Sequence, residues 1–203
     1  MTSTHTKTPL RILVLFFHPR YEDSRANRIL ADAARSIPGV QFRDMYEEYP
    51  DFNIDVRREQ ALLTESDIIV WQHPFFWYSC PPLMKQWIDL VLEYGWAYGK
   101  DGNKLEGKSV IQAISSAGTF EVYQPTGRNR FTYRTLLSPF DQTVHLCRMI
   151  YLPPFIVPGA PRMNREEISQ YADRYKAVLE GLQQNRWDAE TLASVEYIHP
   201  LIS

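Results

Sequence analysis

The feature that most constrains this chain is a set of short apolar runs that do not alternate. Between them lie segments whose apolar residues recur at helical spacing. Leu10–Phe17 (LRILVLFF) is almost entirely apolar and rich in β-branched and aromatic residues. Its length and make-up fit a strand buried on both faces, as in a parallel sheet. Asp67–Gln72 (DIIVWQ) and Ser109–Ser115 read the same way, Val40–Met45 is a weaker alternating strand, and Met149–Val157 is a fifth, broken by Pro153-Pro154. After the first strand, Ala26, Ile29, Leu30, Ala33, Ala34 and Ile37 fall on one helical face, with Ser24 as N-cap and Pro38-Gly39 as the stop. Further helices are expected over Asp55–Thr64, Leu83–Tyr94 and Arg134–Leu146. A last one starts at the capping-box pair Asn164 and Glu167 and runs through Leu182. Five strands alternating with helices predict an α/β fold: a doubly wound, five-stranded parallel sheet with helices on both faces. The domain is expected over 10–183, after a leader at 1–9. Residues 184–203 lack clear periodicity and are expected to be a C-terminal tail that lies on a neighbour.

The helix over Leu83–Tyr94 is apolar at Leu83, Met84, Trp87, Ile88, Leu90, Val91, Leu92 and Tyr94, more than one stripe can use. The surplus predicts a second buried face and a homodimer.

Composition excludes several classes. With 44% hydrophobic and 23% charged residues the chain is not intrinsically disordered. A net charge of -2 gives no basic excess for nucleic acid. Cys80 and Cys147 are too few for a disulfide scaffold, and Met1–Thr8 has no apolar signal core, so a reducing, cytoplasmic setting is expected. The longest apolar run, Ile12–Phe17, falls far short of the ~18 residues a membrane helix needs. Any membrane contact is expected to be peripheral, through a partner.

In a doubly wound sheet ligands sit beyond the carboxyl ends of the strands. Three loops fall there. The first offers His18, Ser24, Arg25 and Asn27 around a helix start, where free N–H groups and the helix dipole favour a phosphate. An ordinary N-cap beside a surface histidine would look the same. It has neither GxGxxG nor GxxxxGK[ST]. The third-strand loop, QHPFFWYSCPP, sets His73 and four aromatics together, suited to a flat ring or equally to an apolar interface. Nothing flanking Cys80 clearly lowers its pKa, and a structural role is the commoner case. The fourth-strand loop, SSAGTFEVYQPTGRNR, has small residues that let a ligand approach the backbone, but it also reads as a mobile charged loop. No metal-ligand spacing and no nucleophile elbow appear in the sequence.

Longer motifs sharpen the reading. His18-Pro19, Ser24-Arg25-Ala26-Asn27, YPDFNID (49–55), REQALL (58–63), and above all WQHPFFWYSCPPLMKQWIDLVLEYGWAYG (71–99) carry a family resemblance. GNKLEGK (102–108) and PFDQTVHLCRMIYLPPF (139–155) extend it. Over about residues 10–180 the chain resembles the flavodoxin-like NAD(P)H:quinone oxidoreductases, and among them the ancillary proteins of glutathione-regulated potassium efflux. The resemblance implies a flavin: FMN in the short ancillary type, FAD in larger relatives. His18, Ser24, Arg25, Ala26 and Asn27 would hold its phosphate and ribityl end. Phe75, Phe76, Trp77 and Tyr78 would flank its ring, and Ser115, Ser116, Ala117 and Gly118 would line its polar edge. The family pattern there is Thr-Thr-Gly-Gly, so Ala117 adds a methyl group where the backbone should come close. Relatives often follow this loop with a Tyr and then a His. Tyr123 stands at the first position, and Asn129, between Arg128 and Arg130, at the second; together they would steady charge developing on the flavin. The implied reaction is ping-pong hydride transfer from NAD(P)H to a quinone. The other implied role is that of a regulatory subunit on the cytosolic face of a potassium/proton antiporter.

Overall fold

The computed structural model describes residues 8–202, so the leader expected at 1–9 lies outside the described residues over 1–7. Strands β1 (Ile12–Phe16), β2 (Val40–Asp44), β3 (Ile68–Pro74), β4 (Ser109–Ser115), β5 (Ile150–Tyr151) and β6 (Phe155–Val157) form one sheet. All its pairings are parallel, in the order β2-β1-β3-β4-β5, with β6 also on β4. β5 and β6 are two halves of the expected fifth strand. Leu152 still donates its N–H to Val110, but Pro153 and Pro154 have no N–H to give, so pairing resumes only at Phe155 opposite Ala113.

Alternation along the strands feeds two cores. Leu13, Leu15, Ile69 and Trp71 meet α3 (Val56–Glu65), α4 (Pro82–Val91) and α6 (Ser138–Leu146) through Leu63, Trp87, Phe140 and Val144. Ile12, Val14, Ile68 and Val70 meet α1 (Arg25–Arg35) and α7 (Arg165–Gln183) through Leu30, Ala34, Tyr175 and Leu179. Helices therefore cover both faces, as expected.

Several elements differ from the sequence reading. The helix expected over Arg134–Leu146 is two, α5 (Tyr133–Leu136) and α6, because Pro139, in the first turn of α6, has no N–H to continue the bonding of α5. α4 stops at Val91, and Gly95 turns the chain at φ 80°. A short α2 (Met45–Glu48), capped by the Asp44 side chain, follows β2. Beyond α7, α8 (Ala189–Ala193) and a final turn at His199–Ile202 lie on the domain itself. There His199 Nε2 bonds the Ile156 carbonyl at 2.8 Å and its ring stacks on Phe155, while Ile198 is buried. Among the described residues no helix is long and apolar enough to cross a membrane.

Candidate functional site

Strand order reverses around β1 and β3, and a cleft of about 430 Å³ opens at their carboxyl ends. That volume lies in the range of small-molecule sites. The loop after β1 builds its first wall. Ser24 caps α1, its Oγ accepting from the Asn27 N–H at 3.2 Å and from Asn27 Nδ2 at 3.1 Å. Asn27 Nδ2 also donates to Ser115 Oγ at 2.8 Å, tying this loop to the end of β4. Arg25 and Ala26, at the first turn, present N–H groups with no intrahelical acceptor. Arg20 and Arg25 line this end of the cleft beside the helix N-terminus, together with Asp23, whose carboxylate lies 3.9 Å from the Arg20 guanidinium.

His18 is buried against Phe16, with ring centroids 6.0 Å apart. Its Nδ1 accepts from the Arg20 N–H at 3.1 Å, so Nε2 carries the proton and is a donor. Burial lowers its pKa, which keeps the ring neutral near pH 7.

The second wall follows β3. Phe75 is buried against Tyr133 and Tyr123, while Phe76 stays half exposed with His18 edge-on at 6.3 Å. Trp77 and Tyr78 take left-handed backbone, φ 49° and 62°, uncommon for aromatic residues. Trp77 is 91% exposed. Strained turns of this sort cluster at functional sites.

The third wall is Ser115, Ser116 and Ala117. Ser116 Oγ lies 2.6 Å from the Tyr133 hydroxyl and 2.8 Å from the Gly118 carbonyl. Gly118 has no room for a side chain: a Cβ would sit 2.7 Å from both Tyr123 Cε2 and Val122 Cγ2. Tyr123 stacks on Tyr133 at 3.9 Å, and burial raises its pKa, so it remains a phenol. Tyr78 donates to Asn129 Oδ1 at 3.4 Å.

The structure thus brings His18, Ser24, Arg25, Ala26, Asn27, Phe75, Phe76, Ser115, Ser116 and Ala117 to one cleft. Trp77, Tyr78, Gly118, Tyr123 and Asn129 stand outside its lining, joined to it through the Phe75–Tyr123–Tyr133 cluster and the Tyr78–Asn129 bond. Arg20, Asp23, Pro74, Ala160 and Pro161 line it and were not singled out. Ala160-Pro161 could have been: the turn follows the last strand at the same end of the sheet. His73, expected in the loop, lies inside β3 and is fully buried, because β3 runs two residues further than its apolar run. Cys80 is a partly buried thiol whose pKa burial raises, against a reactive role. Among the described residues no group of His, Cys, Asp and Glu could hold a metal ion.

A family model described as flavodoxin-like fold matches residues 10–179. A relative named glutathione-regulated potassium-efflux system ancillary protein KefG, from Pectobacterium carotovorum, is 44% identical over 82% of this chain and 91% of its own. The crystal structure of a general stress protein 14 from Treponema denticola, in complex with FMN, is 36% identical with a TM-score of 0.82, covering 85% of this chain and 99% of that one. An NADPH-quinone reductase from P. pentosaceus is 25% identical with a TM-score of 0.77, covering 84% and 98%. From its match, its strand order and its relatives, the chain belongs to the flavodoxin-like fold family that includes these quinone reductases and potassium-efflux ancillary proteins.

Proposed function

We propose that the protein is an FMN-dependent NAD(P)H:quinone oxidoreductase working in the cytoplasm. The observation that carries this is the convergence of an N–H-rich helix start, a hydroxyl–amide bridge and an aromatic turn on one cleft. The donor set suits FMN. The α1 N-terminus with Arg20 and Arg25 matches a phosphate, His18 Nε2–H and the Ser24–Asn27 pair suit the ribityl hydroxyls, and Phe75 with Phe76 suits a flat ring. When bound, the flavin ring supplies the hydride-accepting and hydride-donating chemistry. The chain's own groups bind and orient. Ser115 and Ser116 hold the polar edge, and Tyr123, with Asn129 and the neighbouring guanidinium groups, steadies negative charge developing near the ring. NAD(P)H and quinone use the same open side in turn, so turnover is ping-pong. Purified protein should be yellow or turn yellow with added FMN, and initial-rate plots for NAD(P)H against quinone should be parallel. Protein that stays colourless and leaves flavin fluorescence unquenched would sink this reading.

The protein is also proposed to work as a homodimer. Leu90, on α4, and Tyr94, just past its end, remain 42% and 69% exposed, an apolar surplus that a second copy would cover. A monomer by light scattering at micromolar concentration refutes it.

The 44% identity to the potassium-efflux ancillary protein favours a second role, as the regulatory subunit of a potassium/proton antiporter. Co-purification with an antiporter's cytosolic domain tests it. Failure to bind, with quinone reduction intact, leaves the enzyme alone.

A further inference from the structure

A row of polar side chains crosses the sheet beneath α6. The Tyr151 hydroxyl donates to Gln112 Oε1. Gln112 Nε2 lies 3.0 Å from His73 Nε2, and His73 Nδ1 lies 3.0 Å from the Pro74 carbonyl. The proton positions follow from chemistry. A carbonyl only accepts, so Nδ1 carries the hydrogen, Nε2 must accept, and the Gln112 amide nitrogen faces it. His73 and Gln112 are both wholly buried, with Phe140 over the imidazole at 6.1 Å. The imidazole is neutral, its pKa lowered by burial to about 4.

Three linked polar side chains set among apolar residues carry a desolvation cost that apolar residues of the same shape would avoid, with the Arg134 guanidinium 5.0 Å over the Tyr151 ring at the outer end. The chain ends where the cofactor cleft begins. Pro74 lines that cleft. Its carbonyl is held by His73, and the N–H at the other end of the same peptide unit, that of Phe75, donates to the Ser115 carbonyl at 2.7 Å. Both poles of this one peptide are therefore clamped, directly ahead of the left-handed Trp77 and Tyr78. His73, Gln112 and Tyr151 themselves do not line the cleft.

We propose that His73, Gln112 and Tyr151 are positioning residues: through the Pro74–Phe75 peptide they fix the aromatic wall in the orientation the flavin ring requires. The inference rests on the flavin reading above. It separates three variants. His73→Leu removes donor and acceptor together. His73→Asn keeps an amide donor near Nδ1 for the Pro74 carbonyl but frees Gln112. Tyr151→Phe deletes one hydroxyl at the far end and should fold normally.

The experiment measures FMN dissociation constants by fluorescence quenching and exchange of the Phe75 amide proton in flavin-free protein by NMR. His73→Leu should weaken FMN about tenfold and speed Phe75 exchange by a similar factor, as expected for one lost hydrogen bond at the clamp. His73→Asn should restore most of both, and Tyr151→Phe should shift both about two- to threefold. If His73→Leu does not fold, the other two variants carry the test: exchange and affinity unchanged in both would overturn the proposal. A folded His73→Leu with lowered melting temperature but unchanged FMN affinity and Phe75 exchange would overturn it too, leaving the row as core structure. Wild-type protein that binds no FMN fails the flavin reading itself, a result distinct from bound FMN that is indifferent to His73.

Discussion

Two polar clusters use the same kinds of group in opposite ways. Around Glu59 both oxygens of the carboxylate are engaged. Its Oε1 accepts from Arg43 Nη2 at 2.9 Å and the Tyr49 hydroxyl at 2.7 Å, and its Oε2 from Trp87 Nε1 at 2.9 Å. The three donors come from β2, the stretch after α2, and α4, and the carboxylate is wholly buried. At the cleft, Ser24, Asn27 and Ser115 bond one another, while the first turn of α1, Arg20 and Arg25 line the open space beside them. A buried carboxylate with both oxygens taken fastens the elements that supply its donors; a cluster that lines a concave surface is built to receive something.

The largest effect should separate them. Glu59→Ala leaves Arg43 buried with only Glu48, at 3.2 Å, for a partner. Breaking a buried pair in this way costs about 3–5 kcal/mol. Urea denaturation should show that loss, while the folded protein still binds FMN within about twofold of wild type, by the independence of distant sites. A loss below about 1 kcal/mol would mean Glu59 is no fastening.

The next sharpens the contrast through pH. His73 and His199 have pKa values lowered to about 4 by burial, and that of His18 is lowered too. A histidine neutral in the fold but near 6.5 when unfolded takes up its proton only on unfolding. Its stabilisation is therefore present above pH 6.5 and lost as pH falls toward 4. Between those limits His73 and His199 should each lower unfolding free energy by about 1.4 kcal/mol per pH unit as pH falls. Denaturation at stepped pH checks this: His73→Asn should flatten the slope. The same slope in wild type and variant would mean His73 is charged in the fold.

These clusters also show what could be read without coordinates. The apolar runs announced the parallel sheet, because a strand buried on both faces leaves little else for its sequence to be. Ser24 was legible as an N-cap, and its Oγ does accept from the Asn27 N–H; the link from Asn27 to Ser115, 88 residues on, was not. The Glu59 hub was not. Glu59 lies in an ordinary helical segment, and its donors come from residues 43, 49 and 87, which only the tertiary fold brings together. His73 was placed in the loop for a related reason. A polar residue after an apolar run looks like the strand's end, and its partner Gln112 stands on another strand. Trp77 and Tyr78 were legible as aromatics but not as left-handed residues, since nothing local demands that backbone.

A smaller effect probes the open cluster. Asn27→Ala removes the link between Ser24 and Ser115. Stability should fall by only about 1 kcal/mol, but FMN affinity should drop about tenfold, the worth of a buried hydrogen bond that orients a cradle. A titration showing the reverse, with affinity kept and stability lost, would move Asn27 into the fastening class beside Glu59.

The smallest concerns Tyr123, which stands between the two classes. Its ring is fastened, stacked on Tyr133 at 3.9 Å and set against Phe75 at 5.9 Å. Its hydroxyl is the part proposed to act, as a donor toward charge that develops near the flavin ring. Burial keeps that hydroxyl protonated, so it is available as a donor throughout the neutral range. Tyr123→Phe preserves the stack and removes only the donor, so stability should change by less than about 0.5 kcal/mol. Stopped-flow reduction by NAD(P)H should slow about tenfold, the low end for one donor to developing charge. Asn129 cannot ionise, so the rate should depend weakly on pH between about 6 and 8. Unchanged reduction in Tyr123→Phe would leave the whole residue as packing. A sharp pH transition near the pKa of histidine would place the proton-carrying role on a residue other than Asn129. His18 would then be the first to replace, since it is a histidine that lines the cleft.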